Sequence, residues 1–167
     1  MAEDCVDHAA TLAKLDERPC VTRTLNIHGH DDDAARFGDL ASYGSAAGAI
    51  QELMSAGAPD DAHHDLSRRL HPALPICAAQ VVWAARREMA RTVDDVLARR
   101  TRALHLNAAA AVEMAPQVAR LLGAELGRDA RWADDQVAHF TAMAARYRLD
   151  PPSADVRPGM PPGTTPF

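Results

Sequence analysis

The sequence predicts an all-α protein, a compact multi-helix orthogonal bundle with one short extended segment near residues 20–27. Three observations lead there. The chain of 167 residues is 47% apolar but only 4% aromatic, so its core must be built from Ala, Leu and Val, which suits closely packed helices better than a sandwich. The central stretch 77–102 places Ala78, Val82, Ala85, Met89, Val93 and Val96 at steps of three and four, with Gln80, Arg87, Arg91 and Asp94 opposite, an amphipathic helical pattern. Glycine and proline fall between the periodic runs rather than within most of them.

In chain order, residues 2–16 read as a helix, with Val6, Ala9, Ala10 and Ala13 on one face, Glu3 and Asp4 in the first turn and Arg18-Pro19 as its stop. Residues 20–27 alternate apolar and polar and read as an extended segment, an edge strand without an obvious partner. His28-Gly29-His30 reads as a turn. Asp31, Asp32 and Asp33 then cap a short helix over 33–41, Gly44 breaks it, and 46–56 forms the next helix, closed by Gly57 and Pro59. Residues 57–75 read as loop, with a short helix near 65–70.

Thr92-Val-Asp-Asp95 has capping-box spacing, so the central pattern divides into two helices near Arg91. Asn107 caps a helix over 108–114, Pro116 opens another over 116–126 that Gly127 ends, and 129–148 is the last helix, with Ala133, Val137, Phe140, Ala144 and Tyr147 as its stripe. The tail 150–167 holds six prolines and no period, and is expected to be disordered. One helical domain over 1–149 is therefore expected.

Composition excludes several functions. The net charge is −5, unfavourable for non-specific nucleic-acid binding. Cys5, Cys20 and Cys77 have no paired spacing and read as free thiols of a reducing, cytoplasmic compartment; neither Cys20 nor Cys77 has an activating base nearby in sequence. No apolar run approaches the ~20 residues of a membrane-spanning helix. No Gly-x-Gly-x-x-Gly is present, so the chain lacks the usual dinucleotide cradle.

His28 and His30 followed by three aspartates could ligate a metal, but a polar turn with capping acids accounts for them as well; His63, His64 and His71 read as solvated loop residues, and no metal site is expected. Arginine carries almost all the positive charge, Lys14 being the one lysine. Arg99-Arg100-Thr101-Arg102, with Arg87, is the most suggestive cluster: a clamp for phosphate or carboxylate, an interdomain salt-bridge set, or a helix end favoured by its dipole.

Residues 87–102, Arg-Glu-Met-Ala-Arg-Thr-Val-Asp-Asp-Val-Leu-Ala-Arg-Arg-Thr-Arg, resemble the C-terminal helical domain of FAD-dependent (aerobic) glycerol-3-phosphate dehydrogenases and the related alpha-glycerophosphate oxidases. The likeness extends upstream through Pro19–Gly29 to Met1-Ala-Glu-Asp and downstream to about Tyr147. Gln80 stands where the family suggests glutamate. The resemblance implies an accessory domain of an oxidoreductase, inactive by itself. Its parent oxidises sn-glycerol 3-phosphate to dihydroxyacetone phosphate and passes electrons through FAD to quinone.

It further implies no catalytic or cofactor-binding residue in this chain, and 1–28 as a link from a flavin domain outside it, with Met1 a cut point or an internal methionine. The implied partner is the FAD/substrate domain of the same parent. Homo-oligomer formation and peripheral contact of the parent with the inner face of a membrane are compatible with it. The alternative from another class is a free-standing helical module that docks on protein or DNA.

Overall fold

A computed structural model of the chain describes residues 1–16, 18–56 and 65–148. The expected loop at 57–64, with His63 and His64, and the proline-rich tail lie outside these. The all-α expectation holds, and Cα packing divides the chain into units Met1–Gly48 and Ala49–Phe167.

In the first unit, helix α1 runs Ala2–Leu12 and buries no residue. It stops earlier than the 2–16 expected: Lys14 turns left-handed at φ 53° and the Leu15 amide donates to the Ala10 carbonyl, so the chain leaves the helix before Arg18-Pro19 can act. Residues 20–27 form no strand. The Thr24 and Leu25 amides both fold back on the Val21 carbonyl, making a turn, and Val21, Leu25 and Ile27 stay exposed because no strand among the described residues pairs with this segment.

The next element is a 3₁₀ segment over Ala34–Ala46; Asp33 stands at its N-cap without the side-chain cap bond expected, and Asp31 organises the entry instead. Asp31 accepts the Asp33 amide and holds Arg36 through two 2.7 Å bonds. Gly38 and Gly44 take positive φ and interrupt it, so the expected α-helix over 33–41 is tighter and kinked. At Gly44 the turn presses against Gly29: the Ser45 amide donates to the Gly29 carbonyl, and a Cβ on Gly44 would lie 1.8 Å from that oxygen. Helix α2 follows as Ala47–Ala56.

The second unit holds the core. Where loop and a short helix were expected, a two-stranded antiparallel hairpin forms from β1 (Arg69–His71) and β2 (Leu74–Cys77). Leu74 and Ile76 alternate inward across an outward Pro75, a period-two pattern hidden by the two prolines. His71 clasps the turn: its Nδ1 accepts the Ala73 amide and its Nε2 donates to Glu113 at 2.9 Å.

The hairpin runs directly into α3 (Ala78–Arg87), buried over most of its length. After α3 come a loop, a π-helical turn (Asp95–Arg100), α4 (Ala103–Leu106), α5 (Ala108–Leu126), α6 (Ala130–Ala144) and a last 3₁₀ turn (Ala145–Tyr147). Asn107 caps α5 through its side chain and Gly127 closes it in the left-handed conformation, both at the expected positions, while Asp129, expected as the first residue of the last helix, instead caps α6.

Helix α5 is continuous through Pro116 instead of restarting there. Ala111, Met114, Ala115, Val118 and Leu122 bury one stripe on both sides of the proline, and that burial outweighs the backbone bond the ring removes. Helix α5 is the hub, packed on α6 most extensively and on α3 next. The facing surfaces are short: Ala79, Ala84, Ala111, Ala115, Ala119 and Ala144 are fully buried, with Phe140, Leu104 and Leu122 filling the gaps.

Two residues of the central stretch lie opposite to expectation. Met89, placed on the buried stripe by helical spacing, is 76% exposed, because α3 ends at Arg87 and the phase is lost. Gln80, placed on the solvated side, is buried, because its side chain serves as an internal cap.

Candidate functional site

The arginine-rich stretch 86–102 folds as a braced edge. Helix α3 gives way at Glu88, and the Ala90 amide reaches back to the Ala84 carbonyl. Thr92 and Asp95 then form the expected capping pair. Asp95 accepts the Arg91 and Thr92 amides at 2.9 and 3.0 Å, and its own amide donates to Thr92 Oγ1. Burial pushes the Asp95 carboxyl up, but the Arg91 and Thr92 hydrogen bonds outweigh it and hold it below the usual range. Arg91 lays its guanidinium across the Ala85 and Ala90 carbonyls.

The candidate arginines divide by what they touch. Arg99 is committed internally to Asp94 and to Asp95. Arg100 donates its Nε–H to the Glu88 carbonyl at 3.0 Å, bringing the end of the π-helical turn onto the end of α3. Arg87 and Arg102 are exposed and form no ion pair among the described residues. Arg86, not singled out from the sequence, grips Glu125 of α5 at 2.6 and 2.8 Å. Its partner lies 39 residues away, which no local pattern signals. Glu88 sits half-buried beneath this edge, and burial raises its carboxyl above the ordinary value despite Arg100 and Trp83.

The backbone of the edge is unusual. Met89 and Arg102 both stand at φ 58°, the left-handed region that costs a side-chain-bearing residue about 1 kcal/mol, and a π-helical turn lies between them. A shallow cleft of about 260 Å³ beside α3 is lined by Ala49, Glu52, Leu53, Trp83, Arg86 and Arg87. In the first unit a larger cleft of about 660 Å³ runs along α1, lined by Val6, Ala10, Leu15 and Pro19 among others.

The other candidates stay apart. His30 approaches Asp32 at 3.6 Å, but no group of three or more metal-ligating side chains forms among the described residues. His71 is engaged with Glu113 and the hairpin turn, not solvated as the sequence suggested. Cys5 and Cys20 are exposed thiols, and Cys77 is buried with its sulfur accepting the Gln80 amide.

A flavin dinucleotide does not fit the strand-to-helix junction at Cys77–Ala78. Such a site needs free amides at the helix start to hold the pyrophosphate. Here the Ala78 amide donates to the Arg68 carbonyl, Ala79 to Leu66, and the Gln80 amide to Cys77, while Gln80 Oε1 takes the Cys77 amide. Ala78 and Ala79 are buried besides.

Comparison with known proteins matches residues 20–136 to a family described as the C-terminal domain of alpha-glycerophosphate oxidase. The chain is also 35% identical over 144 residues to a Caenorhabditis elegans protein named "Probable glycerol-3-phosphate dehydrogenase, mitochondrial", covering 76% of this chain and 20% of that protein. The chain thus spans about a fifth of that relative's length. No solved structure matches it.

Proposed function

Because this chain belongs to the family of the alpha-glycerophosphate oxidase C-terminal domain, we propose that it is the helical accessory domain of an FAD-dependent glycerol-3-phosphate-oxidising enzyme. The observation that carries this is the match over 20–136 to a domain defined by its C-terminal place in such enzymes. The filled amides at the α3 start support a division of labour, with flavin and substrate chemistry residing in the portion the chain does not span. The parent reaction would take sn-glycerol 3-phosphate to dihydroxyacetone phosphate and deliver two electrons through FAD to quinone.

In this reading residues 1–149 work as one C-terminal module and 1–28 as its link; α1 and the segment after it bury almost nothing, as a connection would. Arg87, Arg100 and Arg102 face the neighbouring portion, while Arg99 is spent on Asp94 and Asp95. The free-standing protein- or DNA-docking alternative finds no support in either comparison. The cellular site would follow the parent. The worm relative carries a mitochondrial name, at odds with a cytoplasmic site, and no described helix is long and apolar enough to cross a membrane.

The test is turnover and flavin content. The parent enzyme should reduce a quinone or dye with glycerol 3-phosphate, and this chain alone should do neither that nor carry flavin absorbance. Flavin co-purifying with the chain, or turnover by it alone, would overturn the division.

A further inference from the structure

We propose that the edge formed by Arg87, Met89, Arg100 and Arg102 is a preorganised docking face for a carboxylate-bearing surface of the flavin-bearing portion of the parent. The inference rests on the accessory-domain reading. It adds which surface is used, what chemistry it recognises, and why its backbone is distorted.

Met89 carries the argument. Its conformation is one that glycine or asparagine adopts with least cost, and its side chain lies in water. A long apolar residue there is unfavourable on both counts for the isolated fold. Glycine would satisfy the turn, and the thioether side chain gains no burial from this chain, which a docked surface would supply.

The surrounding charge says what that contact brings. The chain as a whole is acidic, yet this edge is cationic. Arg86 and Arg99 neutralise their charge on Glu125, Asp94 and Asp95, whereas Arg87 and Arg102 leave theirs outward. Outward guanidinium groups match carboxylates bidentately. The bond from Arg100 to the Glu88 carbonyl and the Thr92–Asp95 cap fix the edge before docking, so little conformational freedom is lost on contact. The occupant is the parent's own remainder because the matched family is a C-terminal domain and four-fifths of the worm relative lies outside the match.

Oxidative footprinting of Met89 tests this. Peroxide should oxidise Met89 readily in this chain alone, whereas in the intact parent it should be slowed about tenfold or more, because the rate follows exposure. Reversing the three charges (R87E, R100E and R102E together) should restore Met89 oxidation in the parent, while R86A, which removes an already paired arginine, should not. Met89→Gly should raise the thermal midpoint of this chain by about 2 °C and lower the parent's, since only the parent loses a contact.

An intact parent that turns over glycerol 3-phosphate while Met89 oxidises at the free rate would overturn the docking face and leave the accessory-domain reading standing. A parent inactive on glycerol 3-phosphate would remove that reading itself, and the inference with it. Protection arising in this chain alone as its concentration rises would assign the face to a second copy and overturn the proposal. So would protection brought by duplex DNA.

Discussion

Thr92 and Asp95 cap each other: the Thr92 amide donates to Asp95 Oδ2 at 3.0 Å, and the Asp95 amide donates to Thr92 Oγ1 at 3.1 Å. This pair turns the chain out of α3 and into the π-helical turn, and it sets where Arg99 and Arg100 project. Asp95→Ala strands the Arg91 and Thr92 amides and leaves Arg99 with Asp94 as its carboxylate partner. The expected loss is about 1–2 kcal/mol, read from chemical denaturation.

That contribution depends on pH, with a definite sign. Asp95 is held below its ordinary value of 3.8, so its stabilisation is present above 3.8 and is lost as pH falls through the lower folded value. The stability difference between wild type and Asp95→Asn should therefore shrink in that acid window and stay flat above it. A difference that instead grows on acidification would contradict the assignment.

Glu88 behaves oppositely. Burial raises its folded value above 4.5, so its ionisation works against folding once the unfolded chain deprotonates. The penalty is absent below 4.5, grows as pH rises through the folded value, and is constant beyond it. Glu88→Gln should stabilise the chain near neutral pH and do nothing below about pH 4. The site is half-exposed, so solvent screening keeps the gain under about 1 kcal/mol. Thermal melts at two pH values suffice.

Gly44 and Gly48 make a matched pair four residues apart. Gly44→Ala places a Cβ on the Gly29 carbonyl at a φ of 51° and should cost on the order of 3 kcal/mol, seen as faster amide exchange over 29–45. Gly48→Ala meets nothing within 4 Å, inside α2, and should be neutral or stabilising by up to about 1 kcal/mol.

Adjacent arginines should separate cleanly. Arg86→Ala breaks the two-pronged tie between α3 and α5 and should cost about 1 kcal/mol. Arg87→Ala should stay within about 0.5 kcal/mol of wild type in this chain. Denaturant titration of both variants checks the pair.

Much of this was legible locally. Asn107, Gly127 and the Thr92–Asp95 spacing act where their chemistry placed them, because a cap is settled within four residues. What failed needed partners from afar. The hairpin was masked by Pro72 and Pro75, whose turn and outward positions tolerate a missing amide. The segment 20–27 has strand composition but no ladder to join. Met89 obeys the heptad-like arithmetic of α3 only if α3 continues, and the left-handed turn that ends it carries no glycine to announce it.

The division among Arg86, Arg87, Arg99 and Arg102 was equally invisible. It depends on Glu125, which sequence distance hides, and on Asp94, which the helical phase had turned away. The family likeness, by contrast, rested on linear order alone; it was read from Met1 to about Tyr147, and the family match covers 20–136 of that span.

The fully buried alanines between α3, α5 and α6 determine how this domain answers to change. A methyl side chain has no rotamer to swing aside, so an added carbon at Ala84, Ala115 or Ala119 must displace an entire helix axis. Truncation has little left to remove there. Such an interior resists erosion and is brittle to enlargement, and variants that grow by a single methylene along those seams should be the rarest survivors of random mutagenesis.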